Sequence, residues 1–214
     1  MTSATPPDIL GARQAGAHPG RPYDRSSDPA ILSVALDLLA DRPYERVTLD
    51  AVATLTGRAK TTLYRRWATK DELLLAAIRS VGHPPEAASL PDSGSLRGDL
   101  LAVIDSPWLG GAERRLAVFA GLASAARSSE LLAQAIRLEV ADPYADVYRR
   151  LFERAIERGE VPRDRRARIP LLAEVIPAMS DRRMSSGTAP ADRDFFVSLV
   201  DGIVLPALLG VPAA

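Results

Sequence analysis

Apolar residues recur along most of this chain at intervals of three and four, the period of a helix with one face turned inward. No segment alternates every second residue as a half-buried strand would. Ile31, Val34, Ala35 and Leu38 mark a first helix. It is begun by Asp28-Pro29, an N-cap acceptor followed by a proline whose missing amide costs nothing in the first turn. Arg42-Pro43-Tyr44 ends it. Thr48 caps a short second helix whose Leu49, Val52 and Ala53 face inward, and Gly57 closes that helix. A third helix is expected over about residues 59–67, with Ala59, Leu63 and Trp67 packed inward at i, i+4 and i+8. Lys60, Thr61, Tyr64 and Arg65 then point outward. Thr69-Lys70-Asp71-Glu72 reads as a capping box starting a fourth helix that runs to about residue 81.

Residues 82–93, rich in Pro, Gly and Ala, read as a linker. Helical spacing resumes beyond it, over about residues 95–104, 112–127, 129–159, 168–185 and 192–209. Pro143, Pro177 and Pro206 fall inside these stretches. Each removes a backbone donor and crowds the preceding turn, so each is expected to kink or split its helix. Residues 1–27 are dominated by Pro, Gly, Ala and Ser, too little apolar surface to order a segment, and are expected to be a flexible arm. The expected fold is all-α: an N-terminal three-helix unit with its following helix over residues 28–81, and a helical C-terminal domain over 94–214.

Composition narrows the chemistry. With 47% hydrophobic residues among 214, the chain can build a sizeable core. It has no cysteine and two histidines, His18 and His83, whose neighbours suggest no ligand set, so neither a metal nor a cofactor is expected. No run of eighteen apolar residues and no leader-like N-terminus occur, so the expectation is a cytoplasmic protein with no membrane partner. No nucleophile, base and orienting group recur together, which argues against an enzyme. The 27 basic residues balance 27 acidic ones, so any contact with nucleic acid must come from a local patch. One exists: from Arg58 to Lys70 there are five basic residues and no acidic one.

Most of that patch lies on the second of two short helices joined at Gly57, which have the proportions of a helix-turn-helix. A major groove admits one helix, with phosphate donors at its edges and short or forked polar groups at its centre. Tyr64 and Lys70 suit phosphates, and Lys60, Thr61, Thr62 and Arg65 suit base edges or nearby phosphates. Thr48, at a helix N-terminus, is placed to hold a further phosphate. Val47-Thr48, Val52-Ala53, Gly57, Thr62-Leu63-Tyr64, Trp67 and Lys70, within the run from Ile31 to Ile78, resemble the DNA-binding domain of the tetracycline-repressor (TetR) family. The phrase Gly94-Ser95-Leu96-Arg97-Gly98-Asp99-Leu100-Leu101-Ala102 resembles the opening of the sensor domain in one branch of it. The resemblance implies a homodimer on a double-stranded, pseudo-palindromic operator, acting as a repressor released by a small-molecule effector. It assigns Thr48, Tyr64 and Lys70 to phosphates and Lys60, Thr61 and Thr62 to the groove. Arg58 stands where the family has a buried valine, and Ala59 where it has a capping serine, which implies a less rigid start to the recognition helix and a reach to DNA for Arg58. The alternative is a helical small-molecule-binding or scaffold protein without operator binding.

In the C-terminal domain Trp108, Phe119, Tyr144, Tyr148, Phe152 and Met179 are candidates for the wall of an effector pocket, with Asp105, Glu139 and Asp142 as possible polar anchors. The last two helices carry more apolar positions than one buried stripe needs. Leu172, Val175, Ile176, Phe196, Leu199, Val200 and Ile203 are therefore expected to form a four-helix dimer interface. Arg13, Arg21 and Arg25 suit either a minor-groove arm or an inert tail.

Overall fold

The computed structural model describes residues 28–80, 90–107, 110–186 and 191–210, and these contain helices and turns but no strand. The arm, most of the linker, His18, His83 and Trp108 lie outside the described residues. Four helices come first: α1 (Asp28–Asp41), α2 (Leu49–Leu55), α3 (Lys60–Arg66) and α4 (Lys70–Ser80). Seven follow: α5 (Leu96–Ile104), α6 (Ala112–Ser128), α7 (Glu130–Ile136), α8 (Asp142–Glu157), α9 (Ile169–Ser186), α10 (Arg193–Leu199) and α11 (Leu205–Leu209).

Local chemistry sets the ends of these helices. The Thr48 hydroxyl accepts from the Ala51 amide at 3.1 Å, and Ser95 does the same for Gly98 at 3.1 Å. At α4, Thr69 accepts from the Glu72 amide at 3.1 Å, while the Glu72 carboxylate reaches back to the amide of Ala68 at 2.7 Å, one residue beyond the usual capping-box partner. Gly57 has a φ of 63°, a left-handed turn that stops α2 and lets α3 leave at once. The segment that ends α1 is ordered, not merely a break. Tyr44–Arg46 forms a 3₁₀ turn with the Tyr44 ring buried.

The prolines act differently from one another. The single helix expected over about 129–159 is divided by a π-helical turn at Arg137–Ala141, and the one over about 192–209 by another at Val200–Val204. In each, a backbone amide just before the proline bonds five residues back, Asp142 to Arg137 and Leu205 to Val200. One residue is thereby accommodated where Pro143 and Pro206 have no amide to give. Pro177 does not split its helix: α9 runs through it from Ile169 to Ser186.

One apolar core extends from α1–α4 into the C-terminal helices, with α1 lying on α6 and α4 on α7. Gly121 makes the first contact possible. A Cβ there would collide with the backbone carbonyl of Leu39, so only glycine lets α6 lie this close to α1. At the far end Asp99, fully buried, clamps α5 to α8. It accepts from the Ser93 amide (2.6 Å) and hydroxyl (2.9 Å) and from Arg154 and Arg158 (both 3.0 Å). Burial pushes this carboxyl up, but the Ser93 and arginine hydrogen bonds together outweigh it and hold the group below its ordinary range.

Candidate functional site

α3 is pinned by its inner face and open on its outer one. Leu63 is fully buried and Trp67 nearly so, while Arg58, Lys60, Thr61 and Arg65 are exposed and Thr62 is half-buried. Tyr64 is 51% exposed, a large exposure for an aromatic ring. Ala59, expected inside, is exposed. It precedes the first turn of α3 in an extended conformation and offers no side-chain cap, so the inner face begins at Leu63.

Lys60, Arg66 and Lys70 of this patch already have partners. Lys60 Nζ lies 2.6 Å from Asp50 Oδ2 on α2, and that hydrogen bond and charge raise the Lys60 pKa. Arg66 forms an ion pair with Asp28 that ties the end of α3 to the start of α1. Lys70 donates to the Tyr44 carbonyl at 3.0 Å and sits 3.6 Å above the Tyr44 ring. The Tyr44 hydroxyl in turn donates to Asp71, and its pKa is pushed up to about 12 by burial first and then by that carboxylate. Asp71 also accepts from the Ser129 hydroxyl at 2.7 Å, and Glu45 accepts from Ser128 at 2.9 Å. The junction of α6 and α7 therefore grips the N-terminal unit beside Lys70. Periodicity could not have found this link, because it joins residues 58 and 83 positions apart.

The second feature is a cavity of about 140 Å³ among α5, α6, α8, α9, α10 and the π turn at Arg137–Ala141. Phe119, Tyr144 and Tyr148 line it. Phe152 does not: it is fully buried in the core, away from the wall. Met179 does not either, being 40% exposed on the outer side of α9. Asp105 is held by Arg193 at 2.9 and 3.0 Å, Glu139 by Arg79 at 3.3 Å, and Asp142 is exposed, so none of the three anchors the cavity. Polar groups that pattern reasoning missed are Arg115, Ser180, Asp181 and Arg193. Arg115 carried a signal, since it shares a helix face with Phe119 at i+4, whereas its neighbour Arg114 points out to Asp37.

The residues expected at a dimer interface divide. Leu172, Ile176, Phe196, Leu199 and Val200 are buried within one chain, and Ile176 and Phe196 belong to the cavity wall, so they have no surface left for a partner. Val175 is half-buried and Ile203 is 45% exposed. Leu171, 72% exposed, joins Val175 and Met179 on one line of α9 at i, i+4 and i+8. The doubly apolar pattern arose because α9 and the last helices face both the core and the outside.

Comparison with known proteins gives consistent results. Residues 31–77 match the family described as bacterial regulatory proteins, tetR family, and residues 90–203 the tetracyclin repressor-like C-terminal domain. The DNA-binding transcriptional repressor TetR of Mycobacteroides abscessus is 36% identical over 185 residues, covering 82% of this chain and 90% of that protein. An uncharacterized HTH-type transcriptional regulator of Mycobacterium tuberculosis is 30% identical over 197 residues, covering 86% and 93%. The crystal structure of a TetR-like transcriptional regulator from Rhodococcus sp. RHA1 superposes with a TM-score of 0.58 at 20% identity, over 88% of this chain and 99% of that one, a likeness of fold.

Proposed function

Since the chain belongs to the tetR family of bacterial regulatory proteins and is a helix-turn-helix DNA-binding transcriptional regulator, we propose that it is a homodimeric repressor whose operator is released when a small molecule fills the C-terminal cavity. The observation that carries this reading is the acid-free outer face of α3, held rigidly by Leu63 and Trp67. In this reading Tyr64, Thr48 and Lys70 contact phosphates. Thr61, Thr62, Arg65 and, once it leaves Asp50, Lys60 reach base edges, with Arg58 at the turn beside them. Two such helices must meet grooves about 34–36 Å apart, which requires a dimer. Leu171, Val175 and Met179 on α9, with Ile203, supply apolar surface for it.

Release follows from what joins the cavity to α4. Val140 and Ala141 of the π turn border the cavity, and Glu139 between Leu138 and Val140 is 3.3 Å from Arg79 on α4. A ligand that moves this turn moves α4 and changes the spacing of the two α3 helices. It must favour the released state by several kcal/mol to empty the operator.

The test is fluorescence anisotropy of the full-length protein on DNA upstream of its own coding region, with and without a panel of metabolites. Two chains should bind per site with a slope of log K on log salt of roughly −5, for about three phosphates per chain. A flat salt dependence would remove α3 from the groove. Tight binding that no small molecule disturbs would leave a regulator without ligand release.

A further inference from the structure

Tyr148 borders the cavity and is only 4% exposed, yet its hydroxyl has no hydrogen-bond partner among the described residues. Its neighbours do not seal it off, so it opens onto the cavity. A buried hydroxyl in that state is unfavourable until something in the cavity meets it. Burial pushes the phenol well above its ordinary pKa, and burial pushes that of Tyr144 up to about 12, so both hold their protons at neutral pH. Tyr148 therefore offers a donor.

The other polar groups of the wall are engaged. Ser180 donates to the Ile176 carbonyl at 2.6 Å, and Arg193 pairs with Asp105 at 2.9 and 3.0 Å. Arg115, itself buried, donates to the carbonyls of Ser106 at 2.6 Å and of Ile104. Its charge is near enough to act on both phenols, so it repels a cation beside them. Asp181 is exposed, at the rim. The Arg115 charge also attracts an anion, but a carboxylate entering here would give up its water for a wall whose guanidinium groups already hold oxygen partners, and that loss outweighs the attraction. The remaining wall is hydrocarbon and aromatic, with Phe119 edge-on to Tyr144 at 5.8 Å between centroids. A volume of about 140 Å³ is close to that of a dry cavity of roughly 150 Å³ known to take benzene.

The geometry points to a single-ring aromatic occupant, uncharged, carrying one oxygen acceptor for the Tyr148 hydroxyl; this rests on the cavity being the effector site of the proposed repressor. Four molecules of nearly one shape test it by calorimetry on the full-length protein: acetophenone, isopropylbenzene, benzoate and 1-phenylethylammonium. Acetophenone should bind once per chain, roughly five- to tenfold tighter than isopropylbenzene, the ratio one neutral hydrogen bond provides. Neither ion should bind over the same concentrations. Tyr148→Phe deletes only an unpartnered hydroxyl, so the fold should persist; it should lower acetophenone to the affinity of isopropylbenzene and leave the latter unchanged. Equal affinities in the unmodified protein, tighter binding of either ion, a preference that survives Tyr148→Phe, or no binding of acetophenone would each overturn the assignment. Operator anisotropy run alongside separates the two readings. The expected binding pattern with the operator complex intact supports the occupant and defeats ligand release. Operator release by some other metabolite, with acetophenone unbound, does the reverse.

Discussion

Within α3, the proposed function gives adjacent side chains opposite duties, and substitution can tell them apart. Tyr64→Phe removes one exposed hydroxyl assigned to phosphate, so it should weaken binding to cognate and altered operators by similar factors. Thr61→Ala should instead flatten the preference at particular base pairs, by about 1–3 kcal/mol for a well-made contact. Binding-site selection on both variants decides between these roles; an unchanged motif for Thr61→Ala would pass base reading to Arg58 or Arg65. Leu63→Ala is the contrasting case. It empties a fully buried site and should cost about 2–5 kcal/mol, seen as a lower melting temperature that neither surface change produces. The Asp50–Lys60 pair explains why charge at this patch cannot be counted from sequence: it must open before Lys60 can turn to DNA.

Between elements, the most exacting contact is the passage of α6 across α1 at Gly121. Gly121→Ala places a methyl group against the Leu39 carbonyl, where backbone and not a pliable side chain must yield. Overpacking of this kind costs about 1–3 kcal/mol, so a drop of several degrees in melting temperature is expected. Because α1 carries the recognition unit and α6 lines the cavity, the same change should alter operator affinity without touching any DNA-facing residue. Calorimetric melting and operator anisotropy on one preparation measure both effects; a variant identical to the parent in both would show that the two helices are free to separate. The π turns matter at this scale as well. One of them places Val140 and Ala141 at the cavity and Glu139 at α4, so the irregularity demanded by Pro143 lies between the cavity and the N-terminal unit.

For the whole molecule, burial decides which substitutions report on assembly and which on folding. Leu171→Asp and Ile203→Asp change side chains already facing outward, so each chain should keep its fold while sedimentation shows monomers and operator binding is lost. Leu199→Asp would be uninformative, since a charge on that buried side chain unfolds the chain itself. A second global prediction concerns acid. Asp99 keeps its charge to lower pH than a free aspartate, so its contribution is complete above about pH 4 and is lost as pH falls through its depressed native value. Asp99→Asn should lower stability at neutral pH by about 1.5–3 kcal/mol, the range for hydrogen bonds to a charged group. It should also make the melting temperature fall less steeply with acid. Parallel curves for the two proteins between about pH 5 and 2 would show that another carboxylate governs the acid limb.

By itself the sequence determined whatever depends on near neighbours. The helical period, the caps at Thr48 and Thr69, the stop at Gly57 and the outward face of Lys60, Thr61, Tyr64 and Arg65 all involve residues within a turn or two of each other. Even the family resemblance rests on such local spacing. Only the tertiary structure decided where two candidate faces of one helix would go. Ile176 and Phe196 turned to the cavity and Leu171 to the outside, although all three are apolar and sit at sensible helical positions. It also chose Tyr148 over Phe152 for the cavity wall, and joined Ser129 to Asp71 and Asp99 to Arg154 across 58 and 55 residues. The physical reason is that periodicity records how much of a helix must be covered, whereas the identity of the cover depends on which helices cross, and at what distance, in the assembled core.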